Sequence, residues 1–580
     1  MLDFISTFKY GIFVAATFIA IYVIEIVYRR SKVKQLLKIK HEQVQKNRNR
    51  IRDKVQKHSI SEEFVEEITS LTGFQLTEKI RAGKYLPSQV LLAYQKKCLD
   101  NEKLNFLAEF IEEAEEIANS LDNDQENSSP IFGVPISLKE CIRIKNKDQT
   151  NGLVKKCFDQ SKENSLIFEI IKKNKGIPFI TTSMARAGLS HDSTNPIFGP
   201  QVHPKFEKYS AGGSSGGEGI SLSNNCSCIG FGTDIGGSVR FPALFNGIVG
   251  INTTRKRITK KGVNGPGKIP RISLELTTGP MARNTEDLAN FFRAFLCDDL
   301  FKEDVLLVPK YFDEKEYQSK EKLKIGYFSQ YEDDNMAVPV PSVKRSIKMT
   351  IDLLKNLGHS VEEVSFPDPY HGITLTMKAL LHDGGKSLSK TLAYEPIPWT
   401  IEIIRVFLTL PRFVKALFTP LVQIDIGKIY DPIRIGLPGL ASSIEASKLI
   451  HEIEEYRERF MKFMQKYDIL ICPLFPYPLP IKNDSEAYNN ASSCYSIIYN
   501  LLDHPSGTIC VDRVKQEDIN ESQRLAKEFL AKNDSFNSRF HSLQTDLNLP
   551  VGVQVVGKPF HEEMILRIMK EIENGFQFTQ

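Results

Sequence analysis

Two glycine-rich stretches each hold a serine that could attack or relay a proton. One is Ala211-Gly212-Gly213-Ser214-Ser215-Gly216-Gly217-Glu218-Gly219, the other Gly232-Thr233-Asp234-Ile235-Gly236-Gly237-Ser238-Val239-Arg240. Ser214 and Ser238 stand 24 residues apart, and Gly133-Val134-Pro135-Ile136-Ser137-Leu138-Lys139 lies upstream. An alcohol is a poor nucleophile at neutral pH unless a base is nearby. A lysine is that base only when neutral, and desolvation favours the neutral amine. One lysine and two serines therefore suffice for acyl transfer without histidine. The glycines leave backbone N–H groups bare toward a reacting oxygen.

These groups need elements to hold them. Along residues 134–139, Val134, Ile136 and Leu138 point one way and Pro135, Ser137 and Lys139 the other. A lysine ending an inward strand face can lie buried beside glycine loops. Without the serine motifs, an edge-strand lysine in solvent is the more usual reading. Residues 60–120 carry helical periodicity (Phe64, Ile68, Leu71, then Val90, Leu91, Tyr94), and 122–130 is a polar linker. From Ile131 onward, short apolar strands alternate with helical segments, which predicts an α/β fold. Strands are expected at 177–180, 229–231, 323–327, 469–473 and 551–556, and a helix capped by Asn284 or Thr285. Polar stretches at 483–492 and 512–545 read as loops or insertions, and no internal repeat is present.

Composition narrows the function. The chain has 580 residues and a net charge of +4, a balance that gives no argument for nucleic acid. Its nine cysteines include only a C-x-C pair, Cys226 and Cys228, so free thiols and no metal site are expected. Gly212-Gly213-Ser214-Ser215-Gly216 also fits the nucleophile elbow, but a polar loop rather than a strand precedes it. Gly262 to Lys268 nearly matches a phosphate loop, yet Ile269 stands where Ser or Thr should bind magnesium.

Residues 10–28 form a 19-residue apolar run that ends in Tyr28 and is followed by Arg29 and Arg30; its one charge, Glu25, lies four residues before Arg29 and can pair there or reach the interface. The length suits a membrane span better than a signal peptide. Basic residues then follow, from Arg29 to Lys54, and the positive-inside rule puts them and the body on the cytosolic side. They suit either a solvated helix or contact with anionic headgroups. Residues 397–423 read as two short helices separated at Pro411, apolar apart from a few charges that include Arg405, Arg412 and Lys415, with the only tryptophan, Trp399. A membrane cap and a buried hairpin are equally open on this pattern.

The lysine and serine motifs, in this order, resemble those of the amidase signature family over about residue 75 to the end. The anchor, Glu218 and the 397–423 segment most resemble its membrane-anchored fatty-acid amide hydrolase branch. The resemblance implies a large mixed β-sheet core covered by helices on both faces, with an N-terminal transmembrane helix. It implies an anchor over 1–30, a basic helical linker over 31–75 and a catalytic domain over 76–580 with a membrane-cap hairpin at 397–423. Ser238 would be the nucleophile, Lys139 the base and Ser214 the bridge, following a cis peptide bond. The amides of Ile235, Gly236, Gly237 and Ser238 would form the oxyanion hole. Thr233, Asp234 and Arg240 would brace the loop, and Gly188, Ser190 and Ser214 would meet substrate. Tunnel walls are expected around Ile497, Tyr499 and Leu502. No cofactor is implied; the expected partners are a lipid amide and membrane lipids, with no nucleic acid, and a homodimer is allowed. The location implied is a single-pass membrane protein with a cytosolic catalytic domain, in an endomembrane such as the endoplasmic reticulum. Departures from the family pattern are Gly188 and Asn252-Thr253-Thr254. Alternatives are a glutamyl-tRNA amidotransferase subunit and a non-catalytic lipid-binding scaffold.

Overall fold

The computed structural model describes residues 2–124, 128–265, 272–418, 431–482 and 492–578. Residues 266–268 of the phosphate-loop near-match, 419–423 of the hairpin and 483–491 of the polar stretch lie outside that set. The strands are β1 (Leu107–Phe110), β2 (Pro135–Lys139), β3 (Ile177–Thr182), β4 (Thr194–Asn195), β5 (Gly199–Pro200), β6 (Ile229–Asp234), β7 (Val249–Asn252), β8 (Thr277–Ala282), β9 (Lys324–Tyr327), β10 (Ser360–Glu363), β11 (Ile469–Cys472), β12 (Ser506–Arg513) and β13 (Pro550–Gly557). Eleven make one sheet in the order β1-β3-β2-β6-β8-β7-β12-β13-β11-β9-β10. The pairs β2–β3, β2–β6, β9–β11 and β9–β10 are parallel, and the other neighbours run antiparallel.

Both faces of this mixed sheet are covered, as β11 makes plain. Ile469 and Ile471 enter one hydrophobic cluster, and Leu470 and Cys472 enter the other. That is the period-2 alternation of a strand buried on both sides. Helices Pro87–Asp100, Thr285–Phe295 and Glu562–Phe576 supply the first cluster through Tyr94, Phe291 and Met569. Helices Pro369–Leu380, Ser443–Met464 and Cys494–Leu502 supply the second through Ile373, Ile453 and Tyr495. All five expected strand regions are strands. Asn284 is the cap of its helix, its side chain accepting from Asp287 N.

The stretch 512–545 departs from the expected loop. After β12 come helices Gln516–Ala531 and Ser535–Ser542. Asp518 accepts from Lys515 N at 2.9 Å and binds Arg345, and Asp534 caps the second helix. The buried stripe of the first is Ile519, Ser522 and Ala526, with only one large apolar residue. Hydropathy is therefore weak although the period is helical.

Residues 2–58 are one continuous helix, Leu2–His58. It runs through the expected boundary at 30/31, and helix Gly73–Arg81 runs through that at 75/76. Among the described residues, no helix is long and apolar enough to cross a membrane. The side chains of residues 10–12, 14–15 and 18–19 lie outside the described set. The expected pairing of Glu25 with Arg29 forms at 2.7 Å.

The basic half of this helix is part of the body. Val33 and Val44 pack with Ala108, Val154 and Ile197. Asn47 bonds both N and O of Phe110, and Arg48 donates to Leu107 O. These bonds cover the edge strand β1, whose open N–H and C=O groups would otherwise invite pairing. Lys40 is buried between Glu109 and Asp148, 3.0 Å from the latter. Burial opposes its charge, but the two carboxylates outweigh that and raise its pKa. Lys40→Met leaves buried Asp148 without its cation and Glu109 with Lys147 alone, at 3.1 Å. It should cost about 3–5 kcal/mol, read as a lowered denaturation midpoint.

Candidate active site

Lys139 ends β2 with its side chain fully buried. Its Nζ donates to Ser214 Oγ at 2.8 Å and to Thr233 Oγ1 at 2.9 Å, with Thr233 O at 3.5 Å. Burial pushes its pKa down to about 8, against the weaker pull of Cys141, Asp234 and Glu218. Thr233 therefore touches the lysine directly, where the sequence offered it only as a brace.

Ser214 sits in the turn before helix Gly216–Ser223, and the Gly213–Ser214 peptide is cis. Gly213 is required by close approach: a Cβ there would lie 2.3 Å from Ser190 O. Ser238 stands between β6 and helix Arg240–Phe245, half-buried. The two serine loops are tied by Ser215 N donating to Ser238 O at 3.1 Å.

Asp234 organises the second loop. Its carboxylate accepts from Gly237 N at 2.7 Å, Val239 N at 3.0 Å, Asn500 Nδ2 at 3.0 Å, and Arg240 Nε and Nη2 at 3.1 and 2.9 Å. Burial would raise this carboxyl, but the Arg240 charge and these donors hold it at about 2. Arg240 in turn donates to Ser496 O, Ser506 Oγ, Gln554 Oε1 and Asn500 Oδ1. No sequence motif marks these four partners.

The expected oxyanion set needs one correction. The Gly237 N–H is spent on Asp234, and Gly237 does not line the cavity. Its φ of +127° and the Phe241 ring, 2.3 Å from where a Cβ would stand, both require glycine here. Ile235, Gly236 and Ser238 do line the cavity and remain the candidate donors.

That cavity is about 250 Å³. Gly188, Ser190 and Gly213 line it beside Ser238, and Met377, Leu380, Leu381, Leu388 and Ile433 give it an apolar wall. Of the expected tunnel residues only Ile497 faces it. Tyr499 and Leu502 are packed in the core, Tyr499 beside Cys472. On a helix, residues two and five places from Ile497 point away from it. His191 and Ser493 also line the cavity and bond each other at 2.7 Å, a pair no motif announced. Burial lowers the His191 pKa to about 4, so this ring is neutral.

The 397–423 segment forms helices Trp399–Thr409 and Arg412–Phe418 with Pro411 between them. It backs the cavity wall: Ser389 Oγ donates to Arg405 O at 2.9 Å, and Lys415 Nζ to Gly384 O at 2.6 Å.

The family profile named Amidase matches residues 89–566. The chain belongs to the amidase signature family. Fatty-acid amide hydrolase 1 of Sus scrofa is 32% identical over 510 residues, 86% of this chain and 84% of the relative. Fatty acid amide hydrolase 1 of Caenorhabditis elegans is 31% identical, over 87% and 88%. A solved fatty acid amide hydrolase superposes with a TM-score of 0.72 at 23% identity, covering 95% of each chain, which shows the shared fold. As an amidase signature protein, the chain is an amide-hydrolysing enzyme, which removes the non-catalytic scaffold as a reading.

The depressed Asp234 pKa makes a stability prediction. The ionised form is favoured in the fold, so its contribution is complete above the ordinary value of 3.8 and disappears as pH falls through about 2. In chemical denaturation, Asp234→Asn should be less stable than wild type by about 2–3 kcal/mol above pH 4. The difference should shrink between about pH 4 and pH 2.

Proposed function

We propose that the enzyme hydrolyses long-chain fatty-acid amides through Ser238, Ser214 and Lys139, at a membrane surface. The observation that carries this reading is the 2.8 Å bond from a buried lysine to Ser214, on a loop bound to that of Ser238, beside an apolar cavity. The names of the relatives in pig and nematode point to the same substrate class.

In this reading Lys139 is the base and Ser214 carries the proton between it and Ser238. With Lys139 neutral, Ser238 Oγ attacks the amide carbonyl carbon. Its proton passes to Ser214 Oγ, whose own proton moves to Lys139 Nζ. The carbonyl oxygen becomes an oxyanion facing the Ile235, Gly236 and Ser238 amides. A single such donor is typically worth about 3–4 kcal/mol. As the C–N bond breaks, the proton returns through Ser214 to the leaving nitrogen, giving the free amine and an acyl ester on Ser238. Water then attacks that ester by the same proton path, releasing the fatty acid. Acyl chains fit the wall of Met377, Leu380, Leu381 and Ile433, and Gly188 leaves space beside the nucleophile loop.

Two surfaces support membrane contact. Ile403, Phe413 and Leu417 on the hairpin are 68%, 75% and 68% exposed. Ile24, Val27 and Tyr28 of the N-terminal helix are also exposed. Arg30 ties the two together, binding Glu402 at 3.1 Å and lying over the Trp399 ring. Exposed apolar patches rimmed by cations suit a lipid interface. In this reading residues 10–28 are the anchor.

Ser238→Ala should abolish turnover and fluorophosphonate labelling; retained labelling removes Ser238 as nucleophile. Because the base must be neutral, activity should rise with pH to a midpoint near the Lys139 value of about 8. Lys139→Ala should lose most turnover, and an unchanged rate and profile removes it as base. Among N-acyl ethanolamines, primary fatty amides and short amides, the long-chain members should give the highest kcat/KM. Preference for short amides overturns the lipid reading alone. Replacing Ile403, Phe413 and Leu417 by serine should lower kcat/KM severalfold for long-chain amides held in phospholipid vesicles and leave that for short soluble amides unchanged.

A further inference from the structure

Glu218 is fully buried in the first turn of helix Gly216–Ser223, four residues after Ser214. Among the described residues it forms no ion pair. Its Oε2 accepts from Ser137 Oγ, and its Oε1 accepts from Thr182 Oγ1 at 2.7 Å. These two hydroxyls locate the carboxyl relative to Lys139. Ser137 is two residues before Lys139 on β2, so the two side chains share a face. Thr182 is the β3 residue in register with Lys139. On the other side, Gly230 of β6 is in register with Ser137, and a Cβ there would collide with Glu218 Oε2. Three strands thus shape a slot for this carboxyl on the face that carries the lysine.

We infer that Glu218 is a positioning residue that sets the pH at which Lys139 loses its proton. The inference rests on Lys139 being the base. Other charged or titratable groups near Lys139 have different ties. Asp234, on β6, is already neutralised by Arg240. The Cys141 thiol touches Thr233 Oγ1, and burial raises its pKa. Glu140, next to Lys139 in sequence, points to the opposite face and binds Thr150. Glu218 has no such cation among the described residues, and its negative charge, like those of Cys141 and Asp234, raises the Lys139 amine. Burial raises its carboxyl to about 7 and lowers the Lys139 amine to about 8, which brings the two titrations into one range. The pair then loses its protons in two linked steps. An ionised Glu218 favours the ammonium; a neutral group in its place releases the base at lower pH.

The test is the pH dependence of turnover, and of fluorophosphonate labelling of Ser238, in the full-length enzyme. Glu218→Gln should move the acid-side midpoint down by about half a pH unit, with the gain in rate appearing between about pH 7 and pH 8, where Glu218 is ionised in wild type, and vanishing near pH 6, where it is protonated. Thr182→Val, which removes one donor to the carboxylate, should move it the same way by less. It also serves as the deciding variant if Glu218→Gln does not fold, as judged by thermal unfolding. A folded variant whose midpoint stays in place, or moves up, overturns the inference and leaves Glu218 a structural residue. If Lys139→Ala keeps the wild-type rate and profile, the base assignment itself fails. If Lys139→Ala is inactive while Glu218→Gln leaves the midpoint unmoved, only the role of Glu218 is lost.

Discussion

Lys139 lies out of reach of water, and among the described residues no carboxylate is within ion-pair distance of its Nζ. Its contacts are a hydroxyl from Ser214 and a hydroxyl and carbonyl from Thr233. Neutral oxygens of this kind solvate an ammonium only partly, so the amine gives up its proton near physiological pH. The rest of the catalytic region is arranged around keeping that side chain dry. Strands β3 and β6 flank it, and helix Gly216–Ser223 closes over the same face. Glycine is used where neighbours approach within a side chain's thickness, as at Gly213 against Ser190 O and at Gly230 against Glu218.

The second constraint is the Asp234–Arg240 pair. A buried ion pair is costly to form, and its benefit lies in fixing geometry when every remaining donor and acceptor is met. Here Asp234 holds two backbone amides of the Ser238 loop, while Arg240 gathers acceptors from helix Cys494–Leu502, β12 and β13. The loop that carries Ser238 is thereby locked to the C-terminal third of the chain. This also explains why Gly237 cannot serve with its neighbours as a donor: its amide is a strut of the lock.

What was legible in the sequence follows the same physics. Lys139, Ser214 and Ser238 could be read because each lies in a contiguous motif whose glycines and strand alternation have local causes. Strands β2, β3, β6, β9, β11 and β13 could be read because burial leaves short, nearly continuous apolar runs, whereas β1, β7, β10 and β12 carry no such signal. Ser496, Asn500, Ser506 and Gln554 could not be read, since each is an ordinary polar residue whose partner is more than 250 positions away. Tyr499 and Leu502 were misassigned because an apolar helix does not announce which side meets a cavity. Helix Gln516–Ala531 was missed because its buried stripe is small and partly polar.

The N-terminal helix joins these levels. It is 57 residues long, about 85 Å at the usual rise, without a break. Its second half is clamped by Lys40, Asn47 and Arg48, and Arg30 adds a grip on the hairpin. Such a rod is a lever rather than a tether. Whatever holds its free half sets the tilt and heading of the whole catalytic body, and the cavity mouth can neither swing away nor turn over. Were that holder the bilayer of the proposed anchor, the search for substrate would run in two dimensions instead of three, with the angle of approach already chosen.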